Sequence, residues 1–293
     1  MIIKKDFRSY RRLLPPEAFA LAEGPDLPPK DLIEKSVWNS IMNLPDDVSL
    51  RTSANHGTEL KFMHTLWGSI IKNIGNTEDV MGHSLLDVAD ELMACIVNSL
   101  IGFYAVAASC LRSALELATY GTYYQRRKTL FDYKSWRKNQ DDVNFGKACD
   151  ELNSLSDVKA LNKYLYSKMK DTVFEQKNSR YPNYPGGWAR KLYSKLSNFA
   201  HSKPAYSHVD LWNGSNGPIY VPQSFGKISV LYCDTLALIY VIIKIARPKF
   251  ELPGETRFIF SFPNVKPSKI AVYTYQYLWK NSFSLKDMIS ASK

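Results

Sequence analysis

Ser197 and His201 stand four residues apart in KLSNFAHSKP, a helix-like run that Pro204 ends, so both side chains project from one face of its last turns. The C-terminal dipole of such a helix favours a protonated imidazole, and a histidine partly charged near neutral pH can give or take a proton. Ser197, one turn earlier, is placed to orient that ring, although a helical serine more often bonds its own backbone. The plain alternative for His201 is a helix-capping residue without a ligand. A stretch rich in Asn, Gly, Ser and Pro follows, up to Val221, and carries His208 and Asn216. A rigid helix end beside an irregular loop is a common way to build a pocket.

Arg112 and Glu116, in LRSALELATY, form a second pair at i,i+4, directly after a run without charge from Leu92 to Leu111. That position tends towards the interior, where a charged pair is costly unless partnered, so it either locks the packing register or holds a site. The pair is expected to join beside the His201 helix, with Glu116 reaching His201 or the SNGP loop. A third constellation is basic and aromatic: Arg126, Arg127, Lys128, Lys134, Arg137 and Lys138 lie among Tyr123, Tyr124, Phe131, Tyr133 and Trp136. Cations hold phosphates and rings stack bases, as single-stranded nucleic acid requires. The competing reading leans those rings on the core.

Other chemistries lack their signatures. There is no GxxxxGK[ST] or GxGxxG phosphate loop, no GxSxG elbow and no HExxH helix. His56, His64 and His83 are scattered and read as structural or exposed, and His208 as a surface-loop residue. The four cysteines, Cys95, Cys110, Cys149 and Cys233, are far apart, which indicates neither a zinc site nor a disulfide framework. No metal or cofactor is expected, and a reducing cytoplasm fits. The N-terminus, MIIKKDFRSYRRLLPPEAF, has no apolar core of signal-peptide length. A net charge of +10 favours polyanionic partners, in competition with a plain reading in which lysines solvate helix faces.

The elements that must position these groups read as helices. With 293 residues, 45% of them hydrophobic, the chain has ample material for a core. Residues 1–29 are proline-rich and read as an irregular arm, and residues 30–293 as one helical domain. Asp31–Met42 is a short amphipathic helix with Pro45 beyond its end, and Glu59–Ile74 a better one, stopped by Gly75. The longest pattern runs from Ser84 to Arg127 and is broken or bent at Gly102. Its uncharged part just reaches membrane-spanning length, but Asn98, Ser99, Gly102 and Ser109 dilute it, and no membrane is expected. Asp141–Leu155 and Val158–Met169 are shorter helices, Asn178–Gly187 a loop and Trp188–His201 a helix. Ser224–Ala246 is long and apolar, with Asp234 and Lys244 arguing for a buried face instead of a membrane span. Arg257–Phe262 alternates as a short strand would, and Ser268–Ile289 returns to helix. The fold class is mainly α, a helical bundle with peripheral N- and C-terminal helices and at most a short strand pair.

Arg112-Ser-Ala-Leu-Glu116 and Leu196-Ser-Asn-Phe-Ala-His201 resemble the RxxxE and LSxxxH helices of uncharacterised bacterial proteins in the HEPN-like helical-bundle superfamily. Ser215–Val221, SNGPIYV, looks like a segment of the same proteins. The likeness covers roughly residues 85–245. It implies a metal-independent ribonuclease or toxin-type effector, of the kind found in phage-defence and toxin–antitoxin systems, with RNA as substrate and a protein partner or antitoxin. Pairing of such domains across one cleft implies a homodimer. The resemblance assigns proton transfer to His201. Where the ribonuclease motif carries arginine this chain has Lys195, and Arg112 on the other helix is the alternative cation. Ser197 and Asn216 would position the substrate. With neither cation competent, the chain reads as a non-catalytic nucleic-acid-binding or partner-binding module.

Overall fold

A computed structural model describes residues 35–73, 79–138, 143–175, 186–200, 218–252, 256, 259 and 268–279. By its contacts the chain divides into two compact units, Met1–Leu44 and Pro45–Lys293. Of the first, residues 35–44 are described, and all are helical. The described residues form nine helices and no strand, a mainly-α bundle. They are α1 (Lys35–Asn73), α2 (Val80–Leu100), α3 (Tyr104–Arg127), α4 (Leu130–Arg137), α5 (Phe145–Asn153), α6 (Ser156–Met169), α7 (Gly187–Ala200), α8 (Pro222–Ala246) and α9 (Lys269–Trp279). Of the expected strand Arg257–Phe262 only Ile259 is described, in a 3-10 turn.

α1 corrects the expectation of a helix ending before Pro45. The helix runs through the proline and bends at His56, where φ is −131° and ψ 25°. An interior proline costs about 3 kcal/mol. Val48 and Thr52 are already buried one and two turns later, and the Thr52 hydroxyl donates to the Val48 carbonyl at 2.8 Å, so packing on the far side outweighs the lost N–H. At the bend His56 stacks on Phe225, with ring centroids 4.4 Å apart.

The uncharged run Leu92–Leu111 is split between α2 and α3. Gly102, at φ +87°, makes the break, and a Cβ there would lie 2.6 Å from the Ile219 carbonyl oxygen. The two helices then pack antiparallel: Ser84 donates to the Leu117 carbonyl at 2.6 Å, and the Met81 N–H to the Gln125 side chain at 3.3 Å. Gly121 permits the close approach, since a Cβ on it would meet Ser84 at 2.5 Å. α3 is the hub of this unit, packed against α2, α4, α5, α7 and α8. Its Leu111 and Leu115 are fully buried, each contributing about 1.5–3 kcal/mol.

α8 is the described helix long and apolar enough to cross a membrane, yet 83% of its most apolar window is buried within the bundle. Its C-terminal end is tied down. Arg247, just past the C-terminus, holds both oxygens of Asp79 at 3.0 and 2.5 Å, while Asp79 caps α2 through the Gly82 N–H at 2.6 Å. α7 is anchored at its start, where the N–H groups of Trp188 and Ala189 donate to the carbonyls of Thr172 and Val173 at 2.8 and 3.0 Å. Of the described groups singled out, Arg112 and Glu116 lie on α3, and Lys195 and Ser197 on α7.

Candidate functional site

Arg112 and Glu116 face α7 across the bundle. Arg112 Nη2 donates to Glu116 Oε1 at 3.1 Å and to Tyr193 Oη at 2.5 Å, and Tyr193 Oη in turn donates to Glu116 Oε1 at 2.7 Å. The guanidinium carbon also lies 4.9 Å from the Tyr193 ring centroid. Phe145 of α5 stacks on that ring at 4.0 Å, with only 11° between the planes. Three helices thereby fix one triad. Burial works against the Arg112 charge, but the Tyr193 hydrogen bond and the Glu116 carboxylate more than offset it, and its pKa is raised. The Arg112 and Glu116 side chains remain 24% and 22% exposed, so the triad borders solvent.

One turn beyond Tyr193 on α7 lies Ser197, whose Oγ is buried without a hydrogen-bond partner among the described residues. Arg112 Nε is in the same condition. Arg190, a turn before Tyr193, fastens α7 to α5 through Asp150 Oδ1 at 2.5 Å and the Gly146 carbonyl at 2.8 Å. His201, His208 and residues 215–217 of the SNGP segment, Asn216 among them, lie outside the described residues. The expected Glu116 contacts to them lie there too, and the described partners of Glu116 are Arg112 and Tyr193.

Lys195 belongs to a different part of α7. It is exposed and lines a groove of about 500 Å³ against the first half of α8, with Phe199 beside it and Gln223, Gly226, Lys227, Val230 and Leu231 opposite. Nearby, Trp188 Nε1 donates to Asp234 Oδ1 at 3.2 Å. Burial of the Asp234 carboxyl pushes its pKa up to about 6, with the Trp188 bond and the Lys195 charge pulling the other way.

The basic and aromatic segment is taken apart by the fold. Tyr124 is fully buried, edge-on to Tyr123 and Tyr133 at 4.9 and 5.8 Å, and these neighbours are buried too. The expectation that Tyr124 stacks a base is therefore corrected, because its ring offers no open face. Arg126 pairs with Asp157 at 3.0 Å and donates to the Ile245 carbonyl, and Arg127 donates to Ser154 Oγ and to the Glu151 carbonyl. These two arginines staple α3 to α6, α8 and the α5 end. Trp136 lines a hollow of about 580 Å³ whose charged walls are Asp87, Asp90, Glu91 and Arg137, a setting of the wrong sign for phosphate. Lys128 and Phe131 are exposed.

The chain matches no protein-family model, no curated protein and no solved structure. The site is therefore read from its own residues. Among the described residues no group of three or more His, Cys, Asp or Glu side chains could hold a metal ion. Burial pushes the thiols of Cys149 and Cys233 up to about 12, so neither offers a thiolate near neutral pH. Among the described cations, the clamped guanidinium of Arg112 borders solvent, and Lys195 and Lys227 line one groove. Tyr193 escaped sequence reasoning, although its place one turn before Ser197 put it on the same helix face.

Proposed function

We propose that this chain acts on RNA as an HEPN-like, metal-independent ribonuclease or toxin-type effector, working in the bacterial cytoplasm and as a homodimer. The supporting observation is the partly exposed Arg112, held by Glu116 and by Tyr193, which on its own helix stands one turn before Ser197, a buried hydroxyl with no described partner. The RNA 2′-oxygen attacks the adjacent phosphorus and the 5′-oxygen leaves, giving a 2′,3′-cyclic phosphate and a 5′-hydroxyl. A base must take the 2′-hydroxyl proton, an acid must supply one to the leaving oxygen, and a cation must steady the crowded phosphate. His201 moves the proton, Arg112 steadies the charge with Glu116 fixing its orientation, and Ser197 and Asn216 position the nucleotide.

The test is cleavage of RNA by purified protein in EDTA, with the termini identified. Activity is expected to persist without metal and to vanish in His201→Ala with the helical circular-dichroism signal intact. His201→Ala cleaving as fast as wild type would overturn the assignment. The second reading, a nucleic-acid-binding or partner-binding module without cleavage, draws on the pairing of Arg112 with an acidic partner and on Lys195 standing in the motif position of arginine. RNA binding without any cleavage would select it.

A further inference from the structure

The groove between α7 and α8 is the described cavity whose charged walls are both cationic. Lys195 supplies one wall and Lys227 the other, and both are exposed. Between them Phe199, half-buried, and Val230, 39% exposed, give an apolar surface, and Gln223 at the α8 end carries an amide that can both donate and accept. The volume, about 500 Å³, falls in the range of about 300–1,000 Å³ typical of small-ligand sites. Gly226 keeps the groove open. A helical glycine costs about 1 kcal/mol relative to alanine, and here no described atom lies within 4 Å of where its Cβ would stand, so neighbouring packing does not demand it.

We propose that this groove holds one nucleotide of a single-stranded nucleic acid, its phosphates between Lys195 and Lys227, its base against Phe199 and Val230, and Gln223 at the base edge. Two cations flanking an apolar ring surface match the alternation of phosphate and base along a single strand, and the net charge of +10 draws such a polymer in. The inference rests on the reading that the chain acts on nucleic acid, but not on its cleaving any. It assigns Lys195 to substrate binding and leaves Arg112 for the scissile phosphate.

The test is fluorescence anisotropy of the full chain with a labelled single-stranded oligonucleotide of 2′-deoxy sugars, which lacks the attacking hydroxyl and so reports binding alone. Affinity is expected to fall steeply with salt. Gly226→Leu, which fills the groove from an open helix position, and Lys227→Glu are each expected to weaken binding about tenfold, whereas Lys163→Glu on α6 changes it less than about twofold. Should Gly226→Leu fail to fold, Lys227→Glu decides alone. Wild-type affinity in the folded groove variants, or no binding by wild type at low salt, overturns the proposal. So does loss of affinity for a poly-glutamate peptide with oligonucleotide binding retained, which would assign the groove to an acidic protein segment. Groove-dependent binding in a protein that cleaves no RNA leaves the proposal standing and removes the ribonuclease reading.

Discussion

Tyr193 on α7 and Arg112 on α3 converge on one oxygen of Glu116, and they also bond each other at 2.5 Å. The tyrosine hydroxyl is donor to the carboxylate and acceptor from the guanidinium, so it closes a ring of three hydrogen bonds across two helices. Hydrogen bonds to charged groups contribute about 1.5–3 kcal/mol each when well shielded, and the remaining exposure of this triad sets the lower end of that range. Tyr193→Phe is therefore expected to lower stability by about 1–2 kcal/mol in urea unfolding. Glu116→Gln should cost about as much and loosen Arg112. The double variant should lose less than the sum, and strict additivity would show that the three groups do not act as a unit.

Asp234 gives a stability change with a defined sign. Its folded pKa of about 6 lies above the ordinary 3.8, so the fold prefers the protonated carboxyl and is penalised for ionising it. The penalty is absent below about pH 4, grows as pH rises towards 6 and is constant above that, reaching about 2–3 kcal/mol. Asp234→Asn keeps an acceptor for Trp188 and removes the ionisation. Its urea midpoint should exceed that of wild type at pH 7.5 and match it at pH 4. An equal difference at both pH values would mean that the carboxyl titrates as an ordinary surface group.

How far the sequence was legible follows from the range of the interactions involved. The Arg112–Glu116 pair, α7 and α8 rest on local spacing, and the break at Gly102 follows from a residue type. The proline rule is local and ends the first helix before Pro45, whereas the chain stays helical through to Val48 and Thr52, both buried. Tyr123, Tyr124 and Tyr133 looked like a binding face because the charges between them suggested solvent. α3 is instead surrounded, and its arginines reach out to Asp157, Ser154 and the Ile245 carbonyl. Tyr193 meets Glu116 from 77 residues away, beyond any periodicity.

Two glycines are expected to respond oppositely to one methyl group. Gly102→Ala forces a side chain into a positive-φ position 2.6 Å from the Ile219 carbonyl and should destabilise by about 2 kcal/mol or more. Gly226→Ala meets open space on a regular helix and should stabilise by about 0.5–1 kcal/mol. Thermal unfolding of both variants checks the pair, and a destabilised Gly226→Ala would show that the groove wall is packed.

The final prediction separates the two cations of α3 and α7. A cation that steadies the phosphate only in the transition state lowers kcat when lost, whereas one that holds substrate throughout raises KM. Arg112 is rigid, clamped by Glu116 and Tyr193, and so is preorganised for charge that develops during reaction. Lys195 is exposed on the groove wall and suited to a phosphate that does not react. Arg112→Lys keeps the charge but loses the two-pronged geometry, and RNA cleavage should fall about a hundredfold in kcat with KM little changed. Lys195→Ala should raise KM about tenfold and leave kcat within about threefold. The reverse pattern, with kcat collapsing in Lys195→Ala and unchanged in Arg112→Lys, would move the phosphate-steadying role to Lys195 and reduce the Arg112–Glu116–Tyr193 ring to a brace between helices.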